Sequence, residues 1–225
     1  MERPAEEFRK INESIPDDVE LVVATKGREP EEVREVIEAG ADYVGENYTY
    51  PEAVEKYEGL EDCRDEVDWE LIGHLQKNDI NKALPLFDRI QTVESVSKAK
   101  HIDKRVEKAG KEVMPVLIEV NSGEEENKYG VEPTEAALKE LVDGIGELGH
   151  LRLEGLMTMG PYTGDPEDAR PYFEVTRRLF KAGKDMVDDD GSMEVLSMGM
   201  TNSYRVAIEE GANMVRVGTG IFGPR

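Results

Sequence analysis

A chain of 225 residues is long enough to bury a real core and suits one α/β barrel, and nothing in its 38% hydrophobic content argues otherwise. Its 50 acidic and 28 basic residues give a net charge of −22, a field that repels nucleic acid and anionic membrane and excludes both as general partners. Cys63 is the lone cysteine, which excludes an intrachain disulfide and a cysteine-built metal site, and no run approaches the ~18 apolar residues of a membrane span. With no apolar leader in the first residues, the expected location is the cytoplasm.

Met1–Ile11 reads as a helix ahead of the first strand. Short apolar runs then alternate with amphipathic segments. Strands are predicted near Val19–Thr25, Asp42–Val44, Trp69–Ile72, Arg89–Thr92, Val113–Val120, Leu151–Leu156, Glu194–Leu196 and Met214–Val217. Helical patterns fill the intervals at Pro30–Ala39, Thr49–Tyr57, Ser95–Ala109, Pro133–Leu148, Pro166–Val187 and Asn202–Glu210. In the first of these Val33, Val36 and Ile37 share one face and Gly40 is the stop signal. Pro30, Pro133 and Pro166 sit where a first helical turn tolerates proline, and Gly110 and Gly211 sit just past helix ends. Eight strands alternating with helices predict a single (β/α)8 TIM barrel over residues 1–225 with an extra N-terminal helix. A doubly wound open sheet is the runner-up. The runs Glu124–Glu126 and Asp188–Asp190 read as solvated loop charge.

The unusual residues fall at or just beyond C-terminal strand ends: Lys26, Asn47, His74, Asn121, Met157, Ser197 and Arg216. In a barrel those positions converge on the face where active sites are built. Lys26 closes the apolar run Leu21–Thr25. Burial there would destabilise its ammonium and favour an amine that attacks a carbonyl carbon; a lysine that snorkels outward is the bland alternative. Ser197-Met198-Gly199-Met200-Thr201-Asn202 and Arg216-Val217-Gly218-Thr219-Gly220 supply hydroxyls, small residues and exposed amides after the last two strands, which suits a phosphate. Ordinary turn glycines and an N-cap threonine give the same pattern. For Arg216 the residues leave two roles open, an ion pair with one of the many acids or a contact to an aromatic ring nitrogen. His74, alone after a glycine turn, reads as structural, and no metal site is expected. Lys128 is either a second amine at the barrel mouth or a solvated loop lysine.

Together these blocks, with Gly45-Glu46-Asn47-Tyr48, Ile72-Gly73-His74-Leu75-Gln76, Asn121 through Gly130, Gly155-Leu156-Met157 and Ile221-Phe222-Gly223, resemble the pyridoxal-phosphate homeostasis proteins of the YggS/PROSC type. The blocks run in family order from about residue 4 to the C-terminus. The resemblance implies a barrel of the alanine-racemase N-terminal type that holds pyridoxal 5′-phosphate as a reversible Schiff base on Lys26. It implies that Asn47 borders the cofactor, that Ser197, Thr201, Gly218 and Thr219 bind its phosphate beside Met198, and that Arg216 faces the pyridine nitrogen. Gly27, Asp79 and Asn202-Ser203-Tyr204 depart from the usual pattern, and Thr201 replaces a common serine.

An arginine at the ring nitrogen weakens the ring as an electron sink, and a racemase needs acid and base groups on both faces. In the alanine-racemase relatives one such group is a tyrosine of a second β domain, and this chain reaches Arg225 without one. The expected function is therefore a non-catalytic monomer that buffers pyridoxal phosphate or delivers it to dependent apo-enzymes. An amino-acid racemase is the alternative; a class I aldolase is disfavoured because its lysine usually sits on a later strand.

Overall fold

The computed structural model describes residues 4–123, 129–161, 164–187 and 191–224; Lys128 and the acidic runs 124–126 and 188–190 lie outside them. Eight parallel strands close into a ring in chain order. They are β1 (Glu20–Ala24), β2 (Tyr43–Glu46), β3 (Asp68–Leu71), β4 (Arg89–Val93), β5 (Met114–Glu119), β6 (Leu151–Met157), β7 (Val195–Ser197) and β8 (Met214–Val217). The ring closes by pairing β1 with β8, Glu20 opposite Met214 through Val23 opposite Val217. Closure excludes the open sheet and matches the barrel expectation.

The helices are α1 (Pro4–Asn12), α2 (Pro30–Ile37), α3 (Val54–Gly59), α4 (Ile80–Ala83), α5 (Val96–Ala109), α6 (Glu135–Gly146), α7 (Arg170–Gly183), α8 (Tyr204–Glu209) and α9 (Thr219–Phe222). Their ends have local causes. Ser95 accepts a hydrogen bond from the Lys98 amide at 3.2 Å to open α5, and Gly110 closes it in the left-handed region at φ 70°. Thr134 caps α6 through the Ala137 amide at 3.2 Å, so the predicted start at Pro133 moves inward. The Pro166–Val187 pattern divides into a 3-10 turn at Pro166–Ala169 and α7. The Thr49–Tyr57 pattern likewise divides into a wide turn at Thr49–Ala53 and α3. The short helices α4 and α9 give too few residues for a periodic signal.

Strand alternation builds two cores. Leu21, Val23, Leu71, Ile90, Val215 and Val217 face outward and pack with the helices in one large apolar cluster. Val22, Ile72 and Met214 form a separate apolar group. On the same inward parity stand Glu70, Gln91, Ser197 and Arg216, all buried. The barrel interior is therefore part apolar and part hydrogen-bonded. Among the described residues no helix is long and apolar enough to cross a membrane.

Candidate functional site

A cavity of about 320 Å³ opens at the C-terminal mouth, within the range of small-ligand sites. Lys26, Asn47, Thr201, Arg216, Gly218 and Thr219 border it, so the fold gathers six of the eight predicted residues around one space. Met200 and Asn202 of the predicted phosphate turn border it too, as do Arg28 and Met159, which were not anticipated. A larger hollow of about 580 Å³ lies near the N-terminal ends of the strands. Its lining carries Asp17, Glu20, Asp42, Asp65, Glu66 and Asp68 and no lysine or arginine, a poor environment for an anion.

Around Lys26 the structure corrects one expectation. Strand β1 stops at Ala24, Thr25 is buried, and Lys26 itself is exposed on the cavity rim. Burial by the strand is thus not what would activate this amine. What is buried is the support beneath it. Glu46, at the outward-facing end of β2, accepts from the Thr25 hydroxyl and from the Lys56 ammonium of α3. Lys56 also donates to the Thr25 main-chain oxygen at 2.7 Å, and Glu52 accepts from the Gly27 amide. The backbone before Lys26 is therefore fastened to a buried ion pair, and the backbone after it to Glu52, which lies 3.5 Å from Lys56. Loss of hydration holds the Glu46 pKa above the ordinary carboxylate value, against the pull of Lys56 and Thr25. Its Oε2 is buried without a hydrogen-bond partner.

Asn47 is placed by a close backbone approach. A Cβ at Gly73 would lie 2.1 Å from the Asn47 main-chain oxygen, so only glycine lets the ends of β2 and β3 meet there. A similar approach seats the β8 turn, where a Cβ at Gly218 would lie 2.9 Å from the Ala24 oxygen.

The hydroxyl of Thr201 joins the two C-terminal turns, accepting from the amides of Gly218 at 3.3 Å and Gly220 at 3.2 Å. With its oxygen accepting twice, its own O–H is left to donate. Arg28 donates to the Gly223 main-chain oxygen, stands 5.1 Å over the Phe222 ring and pairs with Glu32 at 3.4 Å. It puts a cation beside the same turn. The available signal was a basic residue two positions after Lys26 in an acid-dominated chain.

Arg216 is 3% exposed. One terminal nitrogen donates to Ser197 Oγ at 2.6 Å and the other to the Thr158 main-chain oxygen at 2.7 Å. Burial brings its pKa down to about 10, opposed by nearby Glu119, so at neutral pH it stays a cation. Ser197 is a correction. Its hydroxyl lies inside the barrel, donating to Gln91 Oε1 at 2.7 Å while accepting from Arg216, and does not border the cavity. Met198 is a second correction, since it packs into the outer apolar core. His74 stacks on Tyr129 with ring centroids 3.6 Å apart, meets Lys98 Nζ at 3.2 Å and does not border the cavity. Burial and the Lys98 charge lower its pKa. Among the described residues no group of three or more His, Cys, Asp or Glu could hold a metal ion.

The site thus offers an exposed amine on a braced backbone, a fixed cation and a hydroxyl-bearing turn around one cavity. A family model for the alanine racemase N-terminal domain matches residues 3–225. The pyridoxal phosphate homeostasis protein of Aquifex aeolicus is 41% identical over 207 residues, covering 91% of this chain and 86% of the relative. That of Bos taurus is 34% identical over 213 residues, covering 91% and 77%. PipY of Synechococcus elongatus with PLP bound superimposes with a TM-score of 0.86 at 28% identity, covering 98% of this chain and 100% of that one. PipY without PLP gives 0.88 at 29%, covering 97% and 99%. An alanine racemase of Clostridium difficile shares the fold at a TM-score of 0.79 and 16% identity, and this chain spans 57% of it. Family model, relatives and geometry agree: the chain belongs to the pyridoxal phosphate homeostasis protein family, within the alanine racemase N-terminal domain group.

Proposed function

We propose that this protein binds pyridoxal 5′-phosphate reversibly at Lys26 and serves to hold or deliver it. The observation that carries the reading is the cavity that joins the Lys26 amine to Arg216 and to the Thr201–Gly218–Thr219 turn. The donor set fits the cofactor. Its aldehyde carbon condenses reversibly with a primary amine. Lys26 supplies that amine, Arg216 meets the ring edge as a fixed cation, and Thr201, Thr219 and Arg28 serve the phosphate. Ser197 acts on Arg216 from inside the barrel, and Asn47 lines the opposite rim. Once a ligand covers the cavity, water around Lys26 is displaced, and the amine gains the desolvation that the fold alone does not give it.

The carrier reading is preferred to a racemase on the chemistry of the lining. Among the described residues that border the cavity there is no carboxylate, histidine or tyrosine, and Lys26 is the one lysine. A racemase needs such groups on both faces of its substrate. We further propose that residues 1–225 work as one unit, as a cytoplasmic monomer that supplies pyridoxal phosphate to dependent apo-enzymes.

The test is direct. Protein mixed with pyridoxal phosphate is expected to gain a visible absorption band, and borohydride reduction to fix the label on Lys26. A label on another lysine alone refutes the assignment. Proton exchange at the α-carbon of L- and D-alanine in heavy water, faster than about 1 per second, overturns the carrier reading.

A further inference from the structure

A hydrogen-bonded chain crosses the barrel interior and ends on Arg216. At the N-terminal side Arg89 donates to Glu154 at 2.8 Å and to Glu70 Oε1 at 2.9 Å. Glu70 Oε2 accepts from Gln91 Nε2 at 2.9 Å. Gln91 Oε1 accepts from the Ser197 hydroxyl at 2.7 Å, and Ser197 Oγ accepts from Arg216 at 2.6 Å. Glu70, Gln91 and Ser197 are each no more than 1% exposed.

The two ends dictate the direction of every bond. A carboxylate accepts and a guanidinium donates. With Glu70 taking a proton from the Gln91 amide, the Gln91 carbonyl must face Ser197. That carbonyl takes the Ser197 hydroxyl hydrogen, which turns a lone pair of Ser197 toward Arg216. No link can reverse without leaving a buried group unpaired. Such a chain is a poor way to gain stability, because buried ionic and polar groups rarely outperform apolar side chains of the same size. The burial of Glu70 is costly enough to push its pKa up to about 7. Met214 on the same interior layer shows that apolar filling is available there.

We propose that Gln91 is a positioning residue for the ligand site, acting through Ser197 to hold the Arg216 guanidinium in one orientation toward the ring of bound pyridoxal phosphate, with Glu70 fixing the sense of the Gln91 amide. This rests on the reading of Arg216 as the residue that meets the ring. The expected contribution is about ten-fold in ligand retention, the scale of one hydrogen bond to a charged group.

The experiment uses the full-length chain and Gln91→Leu, with two readouts. In ligand-free protein, nitrogen-edited NMR of the arginine side chains, with Arg216 assigned through Arg216→Lys, is expected to show the Arg216 signal moved and exchange-broadened by Gln91→Leu. In loaded protein, the visible band of bound pyridoxal phosphate is expected to shift and its release to quicken about ten-fold, with the borohydride label still on Lys26. An unmoved Arg216 signal overturns the proposal. So does a moved signal with an unchanged band and release rate, since the chain would then serve the fold alone. If Gln91→Leu does not fold, Ser197→Ala removes the middle link at the loss of one oxygen and carries the same expectations. If wild-type protein takes up no pyridoxal phosphate, the parent reading fails, and the Arg216 signal still decides the link between Gln91 and Arg216.

Discussion

Lys56 donates its ammonium to the main-chain oxygen of Thr25 at 2.7 Å while paired with Glu46, so the residue just before Lys26 is tied to a buried charge. Lys56 is 2% exposed and Glu46 fully buried. Removing one partner strands the other without its counterion. Lys56→Met is expected to cost about 3–5 kcal/mol, measured by urea unfolding. The paired change Glu46→Gln with Lys56→Met should recover most of that stability. It should nonetheless label more slowly at Lys26, because the Thr25 oxygen is no longer held.

The proposed phosphate role of Thr201 can be tested apart from recognition of the rest of the ligand. Thr201→Val keeps the volume and removes the oxygen that accepts from Gly218 and Gly220. Uptake of pyridoxal 5′-phosphate is expected to weaken about ten-fold, while uptake of unphosphorylated pyridoxal stays as in wild type. Equal losses for both ligands would assign Thr201 to the fold and not to the phosphate.

Glu119 gives a pH signature with a definite sign. Burial and the neighbouring Glu94 charge push its pKa from 4.5 up to about 7, against Lys98 and Arg216. The folded protein therefore binds this proton more tightly than the unfolded chain does. Stability from this group is full below the unfolded value and falls as pH rises from about 4.5 to about 7, by on the order of 3 kcal/mol. Glu119→Gln is expected to remove that slope, gaining on wild type at pH ~8 and little at pH ~4. Denaturant midpoints across this range check it, and a parallel pair of curves would contradict it.

Gly73→Ala tests the approach of β2 to β3. Its methyl would meet the Asn47 oxygen at 2.1 Å, which backbone movement alone can relieve. The expected cost is about 1–3 kcal/mol. Ligand affinity should fall as well, because Asn47 moves off the cavity rim.

Strand positions were legible because buried parallel strands read as short apolar runs, and the strand-end cluster was legible once the runs were counted as a barrel. Ser197 was misread for a reason of parity. It is the last residue of β7, where a side chain points into the barrel, whereas the turn that reaches the cavity begins with Met200 and Thr201. A hydroxyl looks the same in sequence on either side of that boundary. Lys26 shows the opposite error. The apolar run suggested a buried lysine, but the strand ends two residues earlier and the exposed rim begins at once. The Glu46–Lys56 pair was hidden because the wide turn at Thr49–Ala53 sets the phase of α3, and no sequence period reports that phase. Gln91 was invisible as anything but a strand residue, since its partners come from strands far apart in sequence.

The pairing of β1 with β8 has a consequence in time as well as in space. Lys26 follows the first strand and Arg216 lies on the last, so the two sides of the cavity are translated some 190 residues apart and become neighbours only when the ring shuts. No partial barrel can own this site. A chain emerging from the ribosome would stay blind to its ligand until the final strand docked, and ligand uptake would then act as a latch across the seam, favouring the closed state by mass action. The first and last elements reinforce that seam, with α1 packed against α9.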